Sequence, residues 1–171
     1  MRVKSHIPNM FTLFNLSLGV LSIINILAEN YFLAALLILL AALMDRFDGK
    51  LARKFDAESD LGKELDSLCD LISFGVAPAI LIWASHLINY GVIGMAIIIL
   101  FPIAGAYRLA RYNVTEFEGV YMGIPITVSG GIVALVNLYS MNYNTSTYFL
   151  IFMMMFLSYS MVSQKIKLKK R

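Results

Sequence analysis

Residues 45–70 read DRFDGKLARKFDAESDLGKELDSLCD, a stretch that sets four aspartates in register as Asp45-x2-Asp48-Gly49-x2-Ala52-Arg53-x8-Gly62-x3-Asp66-x3-Asp70. The rest of the chain is overwhelmingly apolar, and charged groups beside hydrocarbon are costly and kept mainly where something polar is handled. This cluster therefore marks a site, and its composition points to chemistry on a phosphate.

Outward from that stretch, the 171 residues are 59% hydrophobic and 15% charged, with a mean hydropathy of +0.74. That leaves too little polar surface for an ordinary soluble domain. Tyr31 to Met44, Val92 to Tyr107 and Tyr148 to Met161 are apolar all round, where a soluble bundle would need polar stripes. The expectation is an all-α, polytopic membrane protein. A hydrocarbon core of about 30 Å takes roughly twenty residues of helix. Six stretches of that order can be read: Pro8 to Ala28, Tyr31 to Lys54, Gly62 to His86, Tyr90 to Asn113, Val120 to Ser140 and Tyr148 to Gln164. The short connections imply antiparallel neighbours and a single membrane domain over residues 1–171.

Short loops rich in Lys and Arg stay in the cytoplasm. With the N-terminus inside, Arg2, Lys4, Arg46, Lys50, Arg53, Lys54, Lys63, Arg108, Arg111, Lys165, Lys167, Lys169, Lys170 and Arg171 all fall on the inner face, which accounts for all 14 basic residues. The opposite face, Glu29-Asn30, His86 to Tyr90 and Asn142 to Thr147, carries none. The expected location is the cell membrane, multi-pass, with both termini and the acidic cluster cytoplasmic. The net charge of +3 then reads as topology plus attraction to anionic headgroups, with no nucleic-acid partner. The N-terminus lacks the pattern of a removable signal peptide. The basic run from Lys165 reads as an anchor on anionic lipid, and Cys69, the one cysteine, as a packing residue.

Helical spacing sets Asp45 and Asp48 on one face at i,i+3, and Asp66 and Asp70 on another at i,i+4. Across a helical hairpin the two pairs can converge. Four like charges held together at low dielectric require protons or cations. Oxygen ligands without Cys or His favour Mg2+ or Mn2+, with Ca2+ also compatible, over zinc. Two such ions about 3.5 to 4 Å apart can clamp both sides of an in-line displacement at phosphorus. Gly49 and Ala52 leave room for a base or diphosphate against the helix, Arg53 offers a planar fork for a phosphate oxygen, and Ser59 adds a hydroxyl donor. Asp56, Glu58 and Asp60 read as a solvated acidic loop.

The string is accompanied by Ile7-Pro8-Asn9-Met10-Phe11-Thr12, Ser73-Phe74-Gly75-Val76-Ala77-Pro78-Ala79, Tyr107-Arg108-Leu109-Ala110-Arg111-Tyr112-Asn113, Gly123-Ile124-Pro125 and Ser158-Tyr159-Ser160-Met161-Val162-Ser163. Together they resemble the CDP-alcohol phosphatidyltransferases, integral membrane enzymes of phospholipid synthesis, and most of all the class II phosphatidylserine synthases of bacterial and archaeal type. The resemblance covers nearly the whole chain and departs from the family pattern at no signature position.

It implies a six-helix fold, a homodimer, and transfer of a phosphatidyl group from CDP-diacylglycerol, or a CDP-ether lipid, to L-serine with release of CMP. It further implies that Asp45 and Asp66 each touch both of two metal ions, that Asp48 touches one, and that Asp70 ligates the second and acts as general base. Gly49, Arg53 and Ser59 would hold the CDP moiety, with Asn9 and Thr12 closing over it. A base bound to metal is weakened, so that ligation is expected to be loose.

Serine brings a carboxylate and an ammonium, so its pocket needs a permanent cation and acceptors. Arg108 and Arg111, one turn apart, with Asn113 beyond them and Ser73 past Asp70, are the candidates. Two other functions compete. A sister enzyme of the family would use glycerol phosphate, inositol phosphate or an amino alcohol. A divalent-cation transporter would carry its carboxylates nearer the bilayer midplane and leave Gly49 and Arg53 unexplained.

Overall fold

The computed structural model describes residues 6–55, 59–115, 120–165 and 167–169, and of these all side chains except those of 6–8, 48–55, 120–121 and 167–169. Helices α1 (His6–Leu27) and α2 (Tyr31–Phe55) form a hairpin. Glu29, with a left-handed φ of 61°, stops α1, and the N–H groups of Asn30 and Glu29 close back onto the carbonyls of Asn25 at 2.8 Å and Ile26 at 3.0 Å. Such paired bonds satisfy carbonyls that a helix end leaves open. Ala34, Ala35 and Ala41 are fully buried, and their small side chains let the α1 backbone come close enough for Ser22 Oγ to donate to the Ala34 carbonyl at 2.9 Å.

Ser59 opens the third arm. Its backbone is extended and its Oγ accepts the Gly62 N–H at 3.1 Å, an N-cap that satisfies one orphan donor. Helix α3 (Asp60–Asp70) then runs without a break into a π-helical turn, Leu71–Val76, followed by α4 (Ala77–Ile82), a second π-helical turn at Trp83–Leu87 and a short 3-10 turn at Ile88–Tyr90. In the first wide turn the Ala77 N–H reaches back five residues to the Ile72 carbonyl. Gly91, at φ 52° and ψ −132°, takes a conformation that side chains disfavour and folds the chain back into α5 (Gly91–Val114).

The first π-helical turn lies at the centre of the molecule. A β-carbon on Gly19 of α1 would sit 2.9 Å from Ser73 Cα, and one on Gly130 of α6 (Ile126–Asn142) would sit 2.6 Å from the Phe74 carbonyl oxygen. Two helices thus approach this turn backbone to backbone, one from each side. Phe74 and Phe101, both fully buried, fill the space around it, while Met161 of α7 (Thr147–Val162) and Ile38 close the core. Strand β1 (Val120–Met122) pairs antiparallel with β2 (Lys167–Lys169), with Val120 opposite Lys169 and Met122 opposite Lys167.

The helical arms follow the order expected from sequence, with one boundary displaced by more than two residues. The fifth begins at Ile126 rather than Val120, because Val120–Met122 is drawn into the ribbon, Gly123 sits at φ 76°, and Pro125 holds extended backbone just before the helix. The last ends at Val162 rather than Gln164. Among the described residues, two helical stretches are long and apolar enough to cross a membrane: Asn9–Leu27, and the 55-residue stretch Asp60–Val114 that Gly91 divides into two arms. Helices α6 and α7 are apolar but shorter, at 17 and 16 residues.

Candidate active site

Asp45 of α2 meets Asp66 and Asp70, which stand one turn apart on α3. One carboxylate oxygen from each lies within 4.8 Å of the others. Asp70 is the deepest, only 7% exposed. Asp45 and Asp70 are within hydrogen-bonding distance of each other, and two carboxylates so close must share a proton or a cation. The third carboxylate makes a cation the better partner, since a proton neutralises one charge and a divalent ion two.

Three further elements close around this cluster. From α1, Asn15 Nδ2 donates to Asp70 Oδ1 at 3.2 Å. The Thr127 hydroxyl, at the start of α6, donates to Asp45. From α5, Arg108 lies close enough for its charge to act on Asp70. Arg108 is 6% exposed, its guanidinium 4.8 Å from the centre of the Tyr112 ring, and its Nε–H has no hydrogen-bond partner among the described residues. A buried cation with an unmatched donor close to Asp70 is placed to receive an anion.

The other acceptor candidates are engaged in holding the fold. Arg111 donates Nη1–H to the Val162 carbonyl at 3.0 Å and Nη2–H to Met122 O at 3.4 Å. Asn113 Nδ2 donates to Ser67 Oγ at 3.0 Å, and its own carbonyl accepts Lys63 Nζ at 3.2 Å, which ties α5 to α3. Ser73 is fully buried and donates to the Asn15 carbonyl at 3.1 Å.

Of the residues assigned to the CDP moiety, Asn9 and Ser59 come together at Gly62, where an added β-carbon would lie 3.2 Å from Asn9 Oδ1 and 3.0 Å from Ser59 Oγ. Ser59 uses its oxygen as an acceptor in the helix cap, so its O–H hydrogen can still donate. Thr12 is buried one turn along α1 from Asn9. The side chains of Asp48, Ala52 and Arg53 lie outside the described residues, as does the surface at Gly49; their backbone continues α2.

Asn15 and Thr127 were not singled out from the sequence. Asn15 continues the Asn9, Thr12 spacing at i+3 and i+6, a polar stripe in an otherwise apolar helix, and such a stripe is the signal that would have found it. Thr127 comes two residues after Pro125, past Ile126, and carries no such mark.

The family model for CDP-alcohol phosphatidyltransferase matches residues 5–167. The chain belongs to that family. The CDP-diacylglycerol--serine O-phosphatidyltransferase of Helicobacter pylori is 38% identical over 156 residues, covering 86% of this chain and 66% of the relative. The protein of the same name from Bacillus subtilis is 38% identical over 127 residues, 74% of this chain and 72% of the relative. That from Methanocaldococcus jannaschii is 40% identical over 110 residues, 62% of this chain and 53% of the relative. The chain thus spans between about half and about three quarters of the length of these CDP-alcohol phosphatidyltransferases.

Proposed function

We propose that this chain transfers the phosphatidyl group of CDP-diacylglycerol, or of an ether-lipid equivalent, to the hydroxyl of L-serine and releases CMP. The observation that carries the reading is the meeting of Asp45, Asp66 and Asp70 at one point, with Asp48-Gly49-x2-Ala52-Arg53 leading out of it. The choice of serine rests on the relatives, each named for that substrate pair.

The donor set consists of carboxylate oxygens alone, which suits Mg2+ or Mn2+, with Ca2+ compatible. Asp45, Asp66 and Asp70 would hold two such ions, with Asp48 as the fourth ligand. Bound there, divalent cations would withdraw charge from the diphosphate and stabilise the departing phosphate.

The remaining steps fall to the chain's own side chains. Gly49, Ala52, Arg53 and Ser59, with Asn9 and Thr12 over them, hold the CDP moiety. Arg108 takes the serine carboxylate on its unmatched Nε–H. Asp70 accepts the hydroxyl proton, the serine oxygen bonds to the phosphatidyl phosphorus, and the anhydride bond to CMP breaks with its electron pair leaving on CMP. A single displacement suffices, so no phosphatidylated protein intermediate is required.

This reading makes the chain a single multi-pass domain of six spans, with both termini and the carboxylates at the cytoplasmic face, acting as a homodimer. Its support is the distribution of basic residues and an outer surface on which Phe32, Ile99 and Phe152 are each more than half exposed, far more apolar surface than water tolerates.

The test supplies purified protein in detergent with CDP-diacylglycerol, Mn2+ or Mg2+, and a panel of serine, glycerol phosphate, inositol phosphate and ethanolamine, and measures CMP release. Release that depends on serine and on the cation is the expected result. Release with another alcohol alone would make the chain a sister enzyme, and none with any would overturn the reading.

A further inference from the structure

We infer that Asn15 is the positioning residue that orients the Asp70 carboxylate for proton removal. The inference rests on Asp70 being the base of the proposed reaction.

Asn15 Nδ2 lies 3.2 Å from Asp70 Oδ1, the orientation in which the amide donates to an ionised carboxylate. That N–H holds Oδ1 as an acceptor and adds a directional contact from α1 to a carboxylate that already faces Asp45 and Asp66, where the terminal torsion by itself is broad and lacks sharp staggered wells.

Asn15 is itself held from the same arm. Ser73 Oγ donates to the Asn15 carbonyl at 3.1 Å, and Gly19, one turn further along α1, has no side chain to hold the Ser73 backbone away. Asp70 and Ser73, one turn apart across the start of the π-helical turn, thus both engage one residue of α1, through its side chain and its main chain. The reach of the amide to the carboxylate is fixed at both ends.

The amide has a cost that packing alone does not explain. Asn15 is fully buried and its Oδ1 has no hydrogen-bond partner among the described residues, a state that is destabilising relative to an apolar side chain of the same shape. Leucine would fill this space without an orphaned acceptor. What leucine lacks is the N–H on Asp70.

Asn15→Leu keeps the branching and heavy-atom count of the side chain and removes the donor, whereas Asn15→Ser keeps a hydroxyl donor on a shorter arm. For Asn15→Leu the expected result is a fall in kcat of about tenfold to a hundredfold, the range for a hydrogen bond to a charged group, with the KM for CDP-diacylglycerol within about twofold of wild type. Asn15→Ser should recover part of the kcat, and neither variant should unfold well below wild type or lose CDP-lipid binding. An Asn15→Leu protein with wild-type kcat overturns the inference. So does a loss of kcat that Asn15→Ser does not relieve, or one that tracks loss of thermal stability or CDP-lipid binding across both variants. Wild-type protein that releases no CMP with serine would instead sink the proposed activity, and Asp70→Asn with near-normal turnover would sink the base assignment, so the failures can be told apart.

Discussion

Arg111 Nη1 donates to the carbonyl of Val162 at 3.0 Å, binding the end of α5 to the end of α7, while Arg108, one turn earlier on the same helix, carries an unmatched Nε–H near Asp70. Two arginines that look alike in sequence therefore do different work. Arg108→Ala is expected to raise the KM for serine by at least about tenfold, the scale of one charge-assisted hydrogen bond, with little change in the KM for CDP-diacylglycerol. Arg111→Ala is expected to lower stability by about 1–2 kcal/mol, read as a drop in unfolding temperature, through loss of its bonds to Val162 and Met122. An unchanged serine KM in Arg108→Ala would remove that residue from the acceptor pocket.

The carboxylate cluster makes cation removal a stability experiment as well as a kinetic one. Three carboxylates within 4.8 Å repel when no cation is present, so Mn2+ or Mg2+ should raise the unfolding temperature and a chelator should lower it. Asp45→Asn and Asp66→Asn should each weaken Mn2+ binding, measured by electron paramagnetic resonance. Asp70→Asn should abolish turnover while CDP-lipid binding largely persists. Full activity after thorough chelation would contradict the site.

Two adjacent glycines on α6 provide an internal control for the packing. A β-carbon at Gly130 would meet the Phe74 carbonyl oxygen at 2.6 Å and its Cα at 2.8 Å, both backbone atoms that cannot swing aside, whereas one at Gly131 would meet nothing within 4 Å. Gly130→Ala should destabilise by about 1–3 kcal/mol through overpacking. Gly131→Ala should be neutral or stabilise by up to about 1 kcal/mol through helix propensity. Equal thermal stability of the two variants would show that α6 does not press on the π-helical turn as described.

The proposed inner-face placement of basic residues predicts how labels reach the chain. A cysteine introduced as Asn144→Cys should react with a membrane-impermeant maleimide in intact cells, and one introduced as Lys165→Cys only after lysis. Cys69 is buried and should contribute little background. Reversed labelling would invert the proposed topology.

The helical arms and the acidic cluster were legible because both depend on local quantities: long apolar runs, and carboxylates at helical spacing. What escaped the sequence depends on partners distant in the chain. Val120-Tyr121-Met122 reads as apolar helix until Lys167–Lys169 is present to pair with it. Arg108 and Arg111 share a motif, and only the carbonyls of Met122 and Val162 separate them. Thr127 matters because α6 brings it to Asp45. The π-helical turn at Leu71–Val76 is invisible for another reason: an arm buried on nearly all sides has no polar stripe whose drift would betray a change of pitch.

That turn sets a clock angle. An α-helix advances about 100° per residue, so a wide turn that takes in one residue more than the rise requires offsets everything before it from everything after. Asp66 and Asp70 stand on one side of the offset, and the stripe of Ala77, Leu81 and Ile82 that locks the arm into the core stands on the other. The azimuth of the carboxylates is thereby decoupled from that of the packing, and each half of one continuous rod can face the direction its task demands.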